Sequence, residues 1–347
     1  MQGVGAALML PQGLAITAAA FPNPIERGRA TAGWAMAAAL STALGPILGG
    51  VLTDTVGWRY IFWLNVPIGV VALALTYRFL PESRDTDADR VDVRGQALAI
   101  FGLAALTALL VEGRTTGRVL TGTLAFAAAT CLWLFVSKQR RSDHPMLPLD
   151  LFRSRALAAS LVSTFTMTFG IYGLLFVNSF AFQQQRGATT LSTALWFLPM
   201  PVTYLLFIPV VNAVGQRIGP RWPITVGLVV MAAGMAVYSA AGPQGDLWVL
   251  FASFVVTGVG LAVTTGPAVT LAMSAVPVRY AGLASGVVNL ARLVGITVGV
   301  AVLGTAMDAG GARIAVLTGA LVQLVGAVLA LRWSRTEATS TEEVCYA

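Results

Sequence analysis

The chain has a single histidine, His144, and two cysteines, Cys131 in an apolar run and Cys345 near the end. So few residues assemble neither a disulfide framework nor a metal-ligand spacing. No catalytic triad, metal site or cofactor is expected, and the chain does not read as an enzyme. Charge is scarce as well. Of the 347 residues 11% are charged and 56% hydrophobic, whereas a soluble domain carries about 25% charged residues. That excludes a soluble globular protein. A formal charge of +7 would suit nucleic acid, but the arginines are scattered through short loops rather than gathered on one face. No nucleic-acid partner is expected. The apolar runs are continuous and lack the alternation of a membrane barrel. Met1-Gln2-Gly3-Val4 also lacks the basic region of a signal peptide and continues apolar to Phe21, as a span already under way.

What remains is apolar helix in quantity. A helix needs about 20 mostly apolar residues to cross a bilayer. Eleven runs qualify: 1–21, 31–52, 59–80, 94–112, 119–137, 157–181, 192–213, 222–241, 247–268, 284–306 and 313–333. The expected fold class is an all-α integral membrane protein, embedded in the cell membrane as a multi-pass bundle. Lys and Arg favour cytoplasmic loops. Sixteen fall in or at the edges of one alternate set of loops and five (Arg59, Arg114, Arg118, Arg186, Arg313) in the other; Arg292 alone lies deep within a run. The first set is therefore expected inside, with the C-terminus, and Met1 outside. An odd number of helices missing upstream would make that N-terminus natural.

Two long polar connections, 81–93 and 138–156, divide the chain. The expected units are three helices over 1–80, two inserted helices with their connections over 81–156, six helices over 157–335, and a cytoplasmic tail over 336–347. Within the second run stands Gly45-Pro46-x-x-Gly49-Gly50. Interior Gly costs about 1 and Pro about 3 kcal/mol in a soluble helix. In a membrane, neighbouring helices satisfy the freed carbonyls and glycines let backbones touch. This stretch, with Gly33, is expected to act as hinge and seal of a cavity wall. An internal repeat supports two related halves. Gly3-Val4-Gly5-x-Ala7 recurs as Gly258-Val259-Gly260-x-Ala262, Pro22 as Pro277, Gly33 as Gly286, and Gly45-x-x-x-Gly49 as Gly295-x-x-x-Gly299. Repeated halves place a substrate site at their interface.

Several stretches carry a resemblance. These are Gln2-Gly3-x-Gly5-x-Ala7, Gly33 with Gly45-Pro46-x-x-Gly49-Gly50, and Trp58-Arg59-Tyr60-Ile61-Phe62-x-x-Asn65-Val66-Pro67-Ile68-Gly69. Later come Gln183-x-x-x-Gly187 and Asn289-x-x-Arg292-x-x-Gly295. Together they resemble the major facilitator superfamily, in its fourteen-helix drug:proton antiporter branch. The likeness covers nearly all of 1–333. It implies a helical bundle that exports amphipathic drugs or antibiotics, cationic or aromatic, in exchange for protons, as a monomer. The chain departs from that pattern at its start. The arginine expected before Gln2 would precede Met1, and the first three helices are absent, with the acidic residue and charged loop that serve coupling and gating in the family. Gly215-Gln216-Arg217-Ile218-Gly219-Pro220-Arg221 echoes that loop, with Arg217, Gly219 and Arg221 as its candidate gating positions.

Among single residues, Arg292 lies about ten residues into its run, roughly 15 Å deep at 1.5 Å per residue. An intramembrane charge marks a functional site by default; the competing reading is that it snorkels to the surface. Asn289, three positions earlier on the same face, is its partner or a helix–helix hydrogen-bonding group. Asn178 and Gln183 are path residues or packing groups near the outer end of their helix. Asp54, Glu112 and Asp308 sit at outer helix ends, and no Asp, Glu or His falls in the middle third of any run. The function expected is proton-coupled efflux. The alternative is a truncated, non-transporting membrane fragment of such an exporter.

Overall fold

The computed structural model describes residues 24–79, 92–113, 117–142, 149–276 and 280–333, with five isolated positions before residue 22. Apart from those five positions the run 1–21 lies outside the described residues, as do the connection 80–91, His144 and the tail from 334.

Among the described residues every regular element is a helix. They are α1 (Pro24–Thr55), α2 (Tyr60–Phe79), α3 (Val93–Glu112), α4 (Arg118–Arg141), a short 3-10 turn (Leu149–Arg153), α5 (Arg155–Gln185), α6 (Thr190–Phe197), α7 (Pro199–Ile218), α8 (Arg221–Ala241), α9 (Leu247–Ser274) and α10 (Ala281–Trp333). Eight stretches within them are long and apolar enough to cross a membrane. This is a multi-pass helical membrane protein, but the count of eleven spans is not confirmed. The run 192–213 is not one helix: α6 ends at Phe197 and α7 starts at Pro199, with Leu198 between. Pro199 lacks the N–H that would continue α6, yet its fixed φ suits a first helical position. The last stretch, Gly282–Trp333, has the length of two spans. It turns at Gly311, where φ is 78° and ψ 174°, a conformation that costs glycine alone little.

The dense part of the molecule is α5–α10, whose buried side chains form a large core from Ala156 to Ala330 and a smaller cluster around Leu157, Ala272 and Val288. Glycine sets the spacing there. A Cβ added at Gly299 of α10 would lie 2.3 Å from the Phe169 carbonyl oxygen of α5, and one at Gly295 would lie 2.5 Å from that of Phe165. Gly227 of α8 and Gly260 of α9 press on each other's carbonyls in the same way, at 2.8 and 2.6 Å. Lipid offers helices no hydrophobic drive to associate, so close backbone packing of this kind carries the assembly. At one end Arg186 ties the bundle together, its Nε donating to the Pro243 carbonyl at 2.6 Å and its guanidinium also to that of Gly245. Beneath it Phe182 stacks edge-on with Trp196 and Phe254.

Helices α3 and α4 form a separate hairpin. They meet closely at Gly102, where a Cβ would lie 2.9 Å from the Leu132 side chain, and Asp92 joins the ends. Its carboxylate caps α3 by accepting from the Gly95 N–H at 2.9 Å, accepts from Gln139 Nε2 at 3.1 Å and pairs with Lys138. By contrast, α2 buries no residue in the described structure.

Candidate functional site

The glycine-proline stretch lies in the last third of α1, which stays helical through Pro46. Close approach was expected at Gly45 and Gly49. A Cβ at either, or at Gly33, meets nothing within 4 Å; the tight contact is at Gly50, where a Cβ would lie 2.9 Å from Leu191 Cα and 3.2 Å from the Thr190 carbonyl. One turn on, Asp54 accepts a hydrogen bond from the Leu191 N–H at 2.8 Å. That N–H is one of the free donors that begin α6, and Thr189 caps the same end by accepting from Ser192. The Leu191 N–H, then the Thr190 and Thr189 hydroxyls, hold the Asp54 carboxyl below the usual carboxylate range. Sequence reasoning placed Asp54 at a wet helix end and missed its partner. α1 therefore meets the α5–α10 bundle through the Gly50–Asp54 turn, while the glycines nearer its start stand open.

The second group of candidates sits where α5 and α10 run side by side. Thr168 donates to the Arg292 carbonyl at 3.1 Å, and Gly295 and Gly299 follow against Phe165 and Phe169. Residue numbers rise together along the contact, so the two segments are parallel. The half-buried Arg292 side chain keeps its Nε out of solvent with no hydrogen-bond partner. Asn289 is also half-buried, one turn earlier. Tyr204 of α7 lies beside Thr265 of α9 and within electrostatic reach of Arg292 and of Tyr172 on α5. Four helices thus bring Tyr172, Tyr204, Thr265 and Arg292 into one neighbourhood.

Asn178 does not join that group. It is ten residues beyond Thr168 on α5, about 15 Å along the helix, fully buried, with neither amide atom hydrogen-bonded. Leaving such a group unpaired costs about 1–3 kcal/mol. Gln183, at the end of α5, is exposed, so the structure does not pair it with Asn178. Of the gating echo, Gly219 takes φ 70° between α7 and α8, a turn that favours glycine. Arg221 opens α8 with its guanidinium 5.2 Å from the Trp222 ring centre. Arg217 lies in α7, its side chain outside the described ones. Sequence reasoning also passed over Gln323 of α10, fully buried, whose Nε2 donates to the Thr166 carbonyl at 2.8 Å; a lone amide in the run 313–333 was its available signal. An apolar groove of about 540 Å³ runs between α3 and α10, lined by Leu103, Leu106, Leu110, Leu293, Val294 and Thr297 among others. Arg292 does not line it. Among the described residues no group of three His, Cys, Asp or Glu gathers where it would hold a metal.

Apolar helices packed through glycine, with polar side chains at a few interhelical positions, define a polytopic helical membrane protein. The chain belongs to the Major Facilitator Superfamily, whose sequence profile matches residues 1–202 and again 160–344. It is 37% identical over 310 residues to Multidrug resistance protein Stp of Mycobacterium tuberculosis (strain ATCC 25618 / H37Rv), covering 89% of this chain and 58% of the relative. It is 33% identical over 350 residues to Methylenomycin A resistance protein of Streptomyces coelicolor (strain ATCC BAA-471 / A3(2) / M145), covering 96% and 71%. To Tetracenomycin C resistance and export protein of Streptomyces glaucescens it is 34% identical over 315 residues, covering 88% and 57%. The chain thus spans less than two thirds of the length of the first of these relatives. In fold it is similar to a POT family transporter crystallised with a thioalcohol conjugated peptide, at TM-score 0.68 and 15% identity, covering 95% of this chain and 74% of that one.

Proposed function

We propose that this chain works in drug efflux. It serves a transporter that moves amphipathic small molecules outward across the cell membrane in exchange for protons, as a monomer with its C-terminus in the cytoplasm. The relatives named for resistance and export support the reading, and the contact between α1 and α6 carries it. An alternating-access carrier needs a seal on one side of its path that breaks when the other side closes. Gly50 against Leu191, with Asp54 capping α6, supplies such a seal. The Lys/Arg bias assigns that end to the outside. Gly33, Gly45, Pro46 and Gly49 then belong to the hinge of the same wall, and Arg217, Gly219 and Arg221 to a gate at the inner end. In the same reading 1–80 is the N-terminal part that carries the seal, 81–156 holds the inserted hairpin, and 157–335 is the six-helix half, followed by the tail 336–347.

The test is drug resistance in a hypersensitive bacterial host expressing the coding region with any in-frame codons that precede Met1. Resistance that Gly50→Leu abolishes, at unchanged membrane levels, is the expected result. Wild-type resistance from Gly50→Leu removes the seal, and absence of resistance from the parent removes the efflux reading.

A further inference from the structure

Arg292 is the one Lys or Arg that lies deep within an apolar run rather than at its ends. An arginine at that depth is costly unless something answers its charge. Nothing within the described residues does. It makes no ion pair or side-chain hydrogen bond, and its Nε is buried without an acceptor. Asp308, on the same helix, lies sixteen residues away, about 24 Å along it. The backbone that carries the guanidinium is nevertheless held in place. Its own carbonyl takes the Thr168 hydroxyl at 3.1 Å, and Gly295, one turn on, locks that part of α10 against Phe165. Within electrostatic reach of it stands Tyr204, which in turn lies beside Thr265 and within reach of the half-exposed ring of Tyr172; none of these is negative. Thr265 spends its hydroxyl hydrogen within α9, on Leu261 at 2.7 Å. The site is a cation on a fixed stretch of helix, with Tyr204 in reach and an Nε for which no described residue supplies an acceptor.

We propose that Arg292, with Tyr204 and Tyr172, binds the negatively charged or acceptor-rich end of an amphipathic aromatic substrate, such as a carboxylate or phenolate. This rests on the transporter reading and narrows it. Sequence reasoning expected cationic or aromatic substrates; an unpaired arginine repels cations, and a guanidinium recognises planar oxyanions through paired donors. The aromatic rings supply stacking area for the apolar body.

The experiment compares two probes with the same body and opposite charge, pyrenebutyrate and pyrenebutyl-trimethylammonium. Their binding to the purified chain in nanodiscs of zwitterionic phosphatidylcholine is read by fluorescence anisotropy. The anion is expected to bind at least ten-fold more tightly than the cation. Arg292→Gln should weaken the anion roughly ten-fold or more, since a hydrogen bond to a charged group is of that strength. Arg292→Lys should keep the preference for the anion but bind it several-fold more weakly, because an ammonium lacks the paired donors, and Tyr204→Phe should lose several-fold. If Arg292→Gln does not fold, the wild-type preference between the two probes decides alone. Equal or stronger binding of the cation, or unchanged anion binding in a folded Arg292→Gln, overturns the proposal. So does loss of the anion signal when the nanodiscs are made with anionic phosphatidylglycerol, because Arg292 then serves a lipid headgroup. Binding is measured without a gradient or a cell. An anion preference with no drug resistance in the host would sink the efflux reading and leave this site standing; resistance with a cation preference would do the reverse.

Discussion

Substituting Gly299 by alanine is expected to loosen the α5–α10 bundle. The new Cβ would sit 2.3 Å from the Phe169 carbonyl oxygen, 2.7 Å from its Cα and 2.9 Å from its carbonyl carbon. These are backbone atoms, so no side chain can swing aside. Ordinary van der Waals contact begins about 1 Å farther out, and the two helices must separate locally by about that distance. A gap of this size forfeits a quarter to a half of each dispersion contact along the seam. Gly173 and Leu303 lie on the same seam, so the loss spreads beyond one residue. Overpacking of a tight interior typically costs about 1–3 kcal/mol. For a unit of this size each kcal/mol lowers the melting temperature by about 2–4 °C. A fall of roughly 2–12 °C is expected, read by fluorescence-detected gel filtration after heating in detergent. Gly45→Ala is the control, since its Cβ meets nothing within 4 Å; it should melt no lower than the parent. Equal melting of Gly299→Ala and the parent, or an equal fall in Gly45→Ala, would refute the claim that glycine contact sets the α5–α10 spacing.

Asp54→Ala should expose the start of α6. A cysteine at position 190, with Cys131 and Cys345 replaced by serine, should react several-fold faster with an impermeant maleimide, and no change in rate would dissolve the latch. The closed contact depresses the Asp54 carboxyl, so its stabilisation is present above the ordinary carboxylate range and fades as pH falls through the lowered value; labelling that is flat down to strong acid counts against it. Cysteines placed in the connection 138–156 and at Gly242 should label from opposite sides of the membrane, the first from the cytoplasm; labelling from one side defeats the orientation drawn from the Lys/Arg bias. In liposomes the 347-residue chain by itself is expected to show no proton-gradient-driven movement of a fluorescent dye, because no Asp, Glu or His lies in the middle third of any apolar run. Gradient-dependent movement above empty liposomes would point to an overlooked coupling group such as Asp54.

Sequence alone determined that this chain is helical and lives in a bilayer. Both are properties of short segments: each apolar run satisfies its own backbone groups, and residue spacing within one run decides it. The break at Pro199 has the same local origin, the chemistry of one residue, although the length of the run 192–213 hid it. Close packing at Gly295 and Gly299 was also suggested by spacing, but which helix answers them was not. That is a relation between two surfaces, and only the folded chain put Phe165 and Phe169 of α5 there. Along α1, Gly45, Gly49 and Gly50 look alike in sequence, and the side of the helix facing α6 selected Gly50. Asp54 likewise read as a solvated terminus until folding brought the Leu191 N–H, 137 residues away, to its carboxylate. Arg292 was conspicuous from its depth in an apolar run, whereas the burial of its Nε without an acceptor among the described residues was not. Whether a buried charge is answered depends on every helix around it, and that is settled in three dimensions.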